Sequence, residues 1–288
     1  VSEGKLHFAD GAWHGSVEVI ENVRLARDTY RVRIDAPKIG QSVLPGQFLM
    51  LRMGAGDDPL LGRPLAVYDV VEGPGGARQY VDVVYLVLGR MTSRLAQVRP
   101  GQRLEAWGPL GNGFQLREIE HLVMVAGGIG QTPFLALGAE ALGQKRFGTP
   151  ERTTPQIGRV TLCYGARTAE LLAGVDDFRG LGIDVRVSTD DGSAGRKGLV
   201  TETLAEVITE SGGRCHVVCC GPEPMMHAVA KLTGARGVSC EVSLETPMAC
   251  GLGICFSCVA RVRQADGSWD YRRTCVEGPV FDAQAIEF

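Results

Sequence analysis

Leu122-Val123-Met124-Val125-Ala126-Gly127-Gly128-Ile129-Gly130-Gln131-Thr132-Pro133 is the stretch on which the fold class turns. Its short, continuous apolar run fits a strand buried on both faces of a parallel sheet. The glycines that follow permit a tight turn and the close approach of a pyrophosphate. Pro133 suits the first helical turn, where its missing N–H costs nothing, and a helix N-terminus favours an anion. The spacing is not G-x-G-x-x-G, so the standard dinucleotide fingerprint is not met, and a plain strand-to-helix turn reads the stretch equally well.

Outward from that stretch the same alternation recurs. Val160–Tyr164, Ile183–Ser188 and His216–Cys220 are further apolar runs, and helical patterns lie over Pro133–Leu142, Leu199–Ile208 and Pro224–Leu232. The pattern predicts a doubly wound parallel α/β domain over residues 118–238. Cys220-Gly221-Pro222-Glu223-Pro224-Met225 ends one buried strand and opens a helix. Two such loops at strand C-termini fall where ligands bind in open α/β sheets. Gln144–Gly158, rich in Thr, Pro and Gly, reads as an exposed insertion.

Upstream, residues 16–117 read as all-β, after an N-terminal tail over 1–15. Tyr30, Val32 and Ile34 alternate with Arg31, Arg33 and Asp35, the period of a half-buried strand. Gln47–Met53, Leu65–Val71, Tyr80–Leu88 and Arg103–Trp107 are further candidates, separated by Pro-Gly turns, and Thr92–Gln97 fits a short helix. Short strands at that spacing predict a small antiparallel barrel or sandwich. Pro64 within Arg63-Pro64-Leu65-Ala66-Val67-Tyr68 implies an edge, a strand start or a bulge. Arg63 is able to pair with a phosphate; a solvated edge arginine reads the same residue, and Arg90, Thr92 and Arg94 carry the same ambiguity.

Downstream, residues 239–288 are Gly- and Cys-rich, and a unit of that size usually needs a metal or crosslinks to hold its shape. Cys250-x4-Cys255-x2-Cys258, followed by Cys275, has the plant-type [2Fe–2S] spacing. Gly251 and Gly253 let backbone amides approach the sulfides. A hairpin from Val259–Arg263 and Trp269–Arg273 carries the chain back to Cys275. A structural zinc site usually shows two Cys-x2-Cys pairs, and one is present here. A thioredoxin-like pair would leave Cys250 and Cys275 unexplained. Cys163, Cys215, Cys219, Cys220 and Cys240 sit mostly in apolar strands and read as small core residues.

The whole chain has 288 residues, 44% hydrophobic and 22% charged, with 30 basic and 33 acidic residues giving a net charge of −3. No basic excess exists to neutralise a phosphate backbone, so nucleic acid is not an expected partner. No apolar stretch approaches the roughly 20 residues that span a bilayer. Val1–Asp10 has neither a basic region nor an apolar run, so no signal peptide is read and the cytoplasm is the expected compartment.

The order of these parts resembles the ferredoxin-reductase superfamily. Within it the chain is similar to the electron-transfer subunits of class B, NAD-dependent dihydroorotate dehydrogenase. Met248–Cys255 and Cys275-Val276-Glu277-Gly278-Pro279-Val280-Phe281 carry most of that likeness. The resemblance implies an α+β multidomain protein: an FAD-binding antiparallel barrel, an NAD-binding α/β domain and a small [2Fe–2S] subdomain. It implies that Arg63, Pro64, Leu65 and Ala66 stand at the family's Arg-Pro-x-Ser flavin motif, with Arg63 on the pyrophosphate and Ala66 in place of the serine. Val84, Tyr85 and Leu86 would lie along the flavin. Met91 and Thr92 would stand at the family's Gly-Thr, with Met91 in place of the glycine. Gly127, Gly128, Gly130 and Thr132 would hold the nicotinamide dinucleotide, with Cys220 and Gly221 near the hydride path. Cys250, Cys255, Cys258 and Cys275 would ligate the cluster. Thr189-Asp190-Asp191-Gly192 is also family-like. Arg167 is able in principle to meet a 2′-phosphate, though a surface arginine reads equally well. The implied partner is an FMN-containing catalytic subunit in a heterotetramer. An NAD(P)H-dependent ferredoxin or sulfhydrogenase reductase subunit is the alternative; Cys250 favours the dihydroorotate branch.

Overall fold

The computed structural model describes residues 11–54 and 58–288; Val1–Asp10, on which the signal-peptide expectation rests, lies outside them. Six strands close into an antiparallel barrel: β1 (Trp13–Ala26), β2 (Thr29–Asp35), β3 (Phe48–Met53), β4 (Arg63–Glu72), β5 (Arg78–Leu86) and β6 (Arg103–Leu110), in the order β1-β2-β5-β4-β3-β6. The first strand starts inside the stretch read as a tail. On β2 the alternation works as expected: Val32 and Ile34 point into the barrel core, and the arginines between them stay outside it. Pro64 is the second residue of β4, opposite Met50, and β4 shifts register between Val67 and Asp69. A strand start thus accommodates the proline and leaves Arg63 at the rim. The short helices α1 (Pro37–Ser42) and α2 (Arg90–Leu95) complete this half.

The second half is a seven-stranded sheet built on β7 (His121–Gly127), every residue of which is buried. Its parallel neighbours are β8 (Arg159–Ala166), β9 (Asp184–Thr189) and β10 (Arg196–Lys197) on one side, and β11 (His216–Cys220) with β12 (Ser239–Ser243) on the other. Leu122, Met124 and Ala126 pack with Phe134 and Leu137 of α3 (Phe134–Ala141) and with Phe178 of α4 (Val175–Gly180). Val123 and Val125 face the opposite way, onto Leu204 of α5 (Val200–Glu210) and Val229 of α6 (Glu223–Ala235). The period of two along a strand sorts these residues between two helical layers.

The structure adds to the sequence reading in two places. Gln144–Gly158 is largely exposed but anchored: Phe147 and Ile157 are each 1% exposed, and Arg152 pairs with the buried Glu140. The Arg78 guanidinium donates to the Arg146 and Gly148 carbonyls, so the segment fastens the α/β half to the barrel. The cysteine-rich subdomain is tied into the sheet. Within it, β13 (Val259–Arg263) and β14 (Trp269–Arg273) form the expected hairpin, but β12 is the sixth strand of the sheet and β15 (Val280–Asp282) pairs antiparallel with it. The chain leaves the sheet after Ser243, forms the cluster loop, and returns to the same edge.

That loop is held against the barrel. Phe48, Met50 and Leu110 share an apolar cluster with Met248, Cys258 and Cys275. The Trp107 indole donates to the Cys250 carbonyl at 2.9 Å. The Asn112 amide donates to the Val280 carbonyl at 2.8 Å and accepts from the Val280 N–H at 2.9 Å. Barrel, sheet and loop therefore meet around one opening.

Candidate functional site

A cleft of about 760 Å³ lies where the three parts meet, a size common for cofactor sites. Arg63, Pro64, Leu65, Ala66, Val84, Tyr85, Leu86, Met91 and Thr92 all line it from the barrel, and Thr132 and Cys220 from the sheet. Residues separated by up to 157 positions in sequence (Arg63 to Cys220) thus share one wall.

The chemistry of that lining fits a flavin dinucleotide. Val84 is buried and apolar on the cleft wall, suited to a planar ring, and the neighbouring Tyr85 belongs to the barrel core. Arg63 pairs with no carboxylate among the described residues and donates only to the Leu61 and Gly62 carbonyls, so its charge is free for a pyrophosphate. Arg90 and Arg94 are different, since both pair with Asp58, at 2.7 and 2.9 Å. The Thr92 hydroxyl closes its own turn, accepting from the Leu88 and Gly89 N–H groups. Met91 is 1% exposed and belongs to the barrel core.

The two glycine loops interlock. A Cβ at Gly130 would lie 2.2 Å from the Cys220 carbonyl oxygen, and one at Gly221 would lie 2.9 Å from the Gly127 nitrogen. Gly127 and Gly130 are therefore small because the second loop presses on the first. Gly128 differs: its φ is +55° and nothing lies within 4 Å of where a Cβ would stand. Of the three glycines, Gly128 offers bare backbone to a ligand. None of Gly127, Gly128, Gly130 and Gly221 is part of the cleft lining itself; Ile129, Thr132 and Pro133 reach it from that loop. In the Thr189–Gly192 stretch, the Asp191 carboxylate accepts from the Ser193 N–H and hydroxyl, a local turn. Arg167 is exposed.

The cysteines of the spacing motif lie near one another: Cys250 acts on the Cys255 thiol, and both Cys258 and Cys250 act on that of Cys275. Among the described residues no three metal-ligating side chains converge on one point. The Leu252 N–H donates to the Cys250 sulfur at 3.2 Å, the kind of bond that tunes a cluster. The Ser257 hydroxyl and N–H draw the Cys255 thiol down to about 6, and burial pushes Cys275 up to about 12. Gly251, at φ +72°, has no room for a side chain beside Met50. The other five cysteines are all buried, and desolvation raises the Cys163, Cys215, Cys219, Cys220 and Cys240 thiols. Ile254 and Phe256, at 73% and 62% exposed, stand out from the loop and do not pack beneath it.

The far wall of the cleft went unread in the sequence. Ser243–Ala249 and Ser257 line it, bringing the cluster loop and the barrel wall into one cavity. Among the described residues Glu245 has no partner there, and burial raises its carboxyl above the usual carboxylate range. A lone acidic residue between a strand end and the first cluster cysteine was the available signal.

Three family models match in tandem. Residues 16–114 match the oxidoreductase FAD-binding domain, 124–231 the oxidoreductase NAD-binding domain, and 245–287 the iron-sulfur cluster binding domain of dihydroorotate dehydrogenase B. The electron transfer subunit of dihydroorotate dehydrogenase B (NAD(+)) from Caldanaerobacter subterraneus subsp. tengcongensis is 35% identical over 96% of this chain and 99% of its own. That of Fusobacterium nucleatum is 32% identical over 93% and 96%. Among solved structures, a chain of an NADH-dependent reduced ferredoxin-NADP oxidoreductase superposes with a TM-score of 0.77 at 28% identity, covering 94% of this chain and 89% of that one. The ferredoxin reductase of carbazole 1,9a-dioxygenase shares the fold, with a TM-score of 0.64 at 18% identity.

Proposed function

Because this chain belongs to the electron transfer subunits of dihydroorotate dehydrogenase B, we propose that it draws electrons from an FMN-containing catalytic partner and delivers them to NAD+, in pyrimidine biosynthesis. Bound FAD and [2Fe–2S] supply the redox chemistry, converting single electrons into the pair that a nicotinamide accepts.

The residues divide that work. Arg63 holds the pyrophosphate of FAD, and Pro64, Leu65 and Ala66 shape the strand start that aims it. Val84, Tyr85 and Leu86 give the ring a dry wall, and Met91 and Thr92 close the turn beside it. Gly128 and Thr132 receive the nicotinamide dinucleotide, Gly127, Gly130 and Gly221 keep the two loops locked, and Cys220 lies at the hydride path. Cys250 with Cys255, and Cys258 with Cys275, hold the irons. Ile254 and Phe256, exposed beside Cys255, form the docking face for the partner, in an assembly of two copies of each subunit. Among the described residues no helix is long and apolar enough to cross a membrane, and we place the assembly in the cytoplasm.

One observation carries this reading: the cluster loop and the flavin wall line the same cleft, through Met248, Ala249 and Ser257 opposite Val84–Leu86. The test is anaerobic purification with measurement of iron, sulfide and extracted flavin, followed by absorbance titration with NADH and with NADPH. Two irons and one FAD per chain, reduction by NADH and co-purification of an FMN protein are expected. Preference for NADPH with ferredoxin as the working partner would turn the reading to the alternative reductase, and a colourless zinc protein would end it.

A further inference from the structure

Electrons and protons do not travel together through this protein. A [2Fe–2S] cluster passes one electron at a time and no proton, whereas NAD+ becomes NADH by gaining two electrons and one proton, as hydride. The balance is NAD+ + 2e− + H+ → NADH, so each turnover requires one solvent proton to enter the cleft. This requirement rests on the function proposed above.

Four titratable residues line the cleft: Arg63, Tyr85, Cys220 and Glu245. Arg63 remains protonated throughout the useful range. Tyr85 is 1% exposed with its hydroxyl bonded to Asn22, and desolvation raises it further. Cys220 is 3% exposed, and desolvation first, then the charge of Glu245, keeps it a thiol. Glu245 is the one carboxyl in the lining. It sits two residues past the end of β12 and five before Cys250, on the wall between the sheet loop and the cluster loop. The residue reaches the surface at the cleft while its carboxyl is crowded by surrounding protein, and among the described residues no cation or donor pairs with it.

We propose that Glu245 is the proton port of the cleft, taking a proton from solvent and surrendering it to the reduced site for every electron pair that arrives through the cluster. Run in reverse, with NADH as donor, it carries the same proton out. Desolvation supports the role, because a carboxyl moved toward neutrality exchanges its proton more readily near working pH.

The balance supplies a test with two unequal halves. NADH delivers hydride and needs no solvent proton; discharge of the reduced protein to ferricyanide, one electron at a time, leaves a proton to expel. In the FAD- and cluster-loaded chain, Glu245→Gln should leave NADH-driven bleaching of the flavin band within about threefold of wild type and slow discharge to ferricyanide on the order of 100-fold. Glu245→Asp should restore part of the discharge rate. The reduced-minus-oxidised infrared spectrum should show a carboxyl C=O band that Glu245→Gln removes. Discharge at the wild-type rate, or equal slowing of both halves, would overturn the port, the second pointing to a role in seating the nicotinamide. Flavin and iron contents, measured first, report on the proposed function alone.

Discussion

Gly251→Ala tests whether the cluster loop is held by the barrel or merely lies against it. Gly251 has φ +72°, and a Cβ built there would stand 2.7 Å from Met50 Cγ and 3.0 Å from Leu110 Cδ1. Met50 and Leu110 are 0% and 1% exposed, so neither has free space to retreat into. The left-handed backbone costs a non-glycine residue about 1–2 kcal/mol. Overpacking a closed core adds about 1–3 kcal/mol, for a total of roughly 2–5 kcal/mol. In a chain of this size that corresponds to a fall in Tm of roughly 4–10 °C. Gly128→Ala is the matched control, because its φ is +55° but its Cβ would meet nothing within 4 Å. The assay follows loss of visible absorbance on heating, with iron per chain measured beforehand. Gly251→Ala should melt well below Gly128→Ala and carry less iron. Equal melting with full iron in both would refute the contact as the anchor of the loop.

Arg63→Ala should weaken FAD binding by roughly 10- to 100-fold, the worth of a charged hydrogen bond, with Arg63→Lys between the two because it keeps charge but loses the planar fork; flavin retained after gel filtration reads this. Cys275→Ser should abolish stable cluster assembly, whereas Cys219→Ser, in a strand packed between helices, should keep its iron; iron and sulfide per chain separate them. His121 is 2% exposed, its ring nitrogens lie 2.6 Å from the Ser211 hydroxyl and 2.9 Å from that of Thr161, and desolvation first, then Arg159 and Arg186, pull it down to about 4. Between about pH 6.5 and 4 the unfolded chain binds that proton and the folded chain does not, so roughly 2–3 kcal/mol of stability should be lost as pH falls through that window. Urea unfolding across it should show the loss, and His121→Gln should flatten the slope.

Elements read from the sequence correctly are those whose signal is local. The cysteine spacing and the bounds of Val259–Arg263, Trp269–Arg273 and His216–Cys220 depend on residues near one another in the chain. β15 has three residues and no period to detect; it exists because the edge of β12 is there to pair with. Gln144–Gly158 has loop composition, yet Phe147 and Ile157 bury it against surfaces supplied by other segments. Glu245 carries no motif of its own. It became visible only when Val84, Cys220 and Ser257 were brought around it.

The glycine loops owe much of their smallness to each other. The sequence reading asked the glycines of Gly127-Gly128-Ile129-Gly130 to admit a pyrophosphate. In the structure Gly127 and Gly130 admit another part of the same protein, the loop that carries Cys220 and Gly221. A side chain at Gly130 would drive into the Cys220 carbonyl and displace that strand end. The two loops are therefore mechanically one unit, although ninety residues separate Gly130 from Cys220. The position of Cys220 is set by backbone contact between the ends of β7 and β11, and these strands are neighbours in the sheet. The neighbouring of β11 and β12 extends the same rigid edge to Ser243, and from there to Glu245 and the cluster loop. The ends of β7, β11 and β12 thus bring Thr132, Cys220, Ser243 and Glu245 to one cleft wall, facing residues that the barrel supplies.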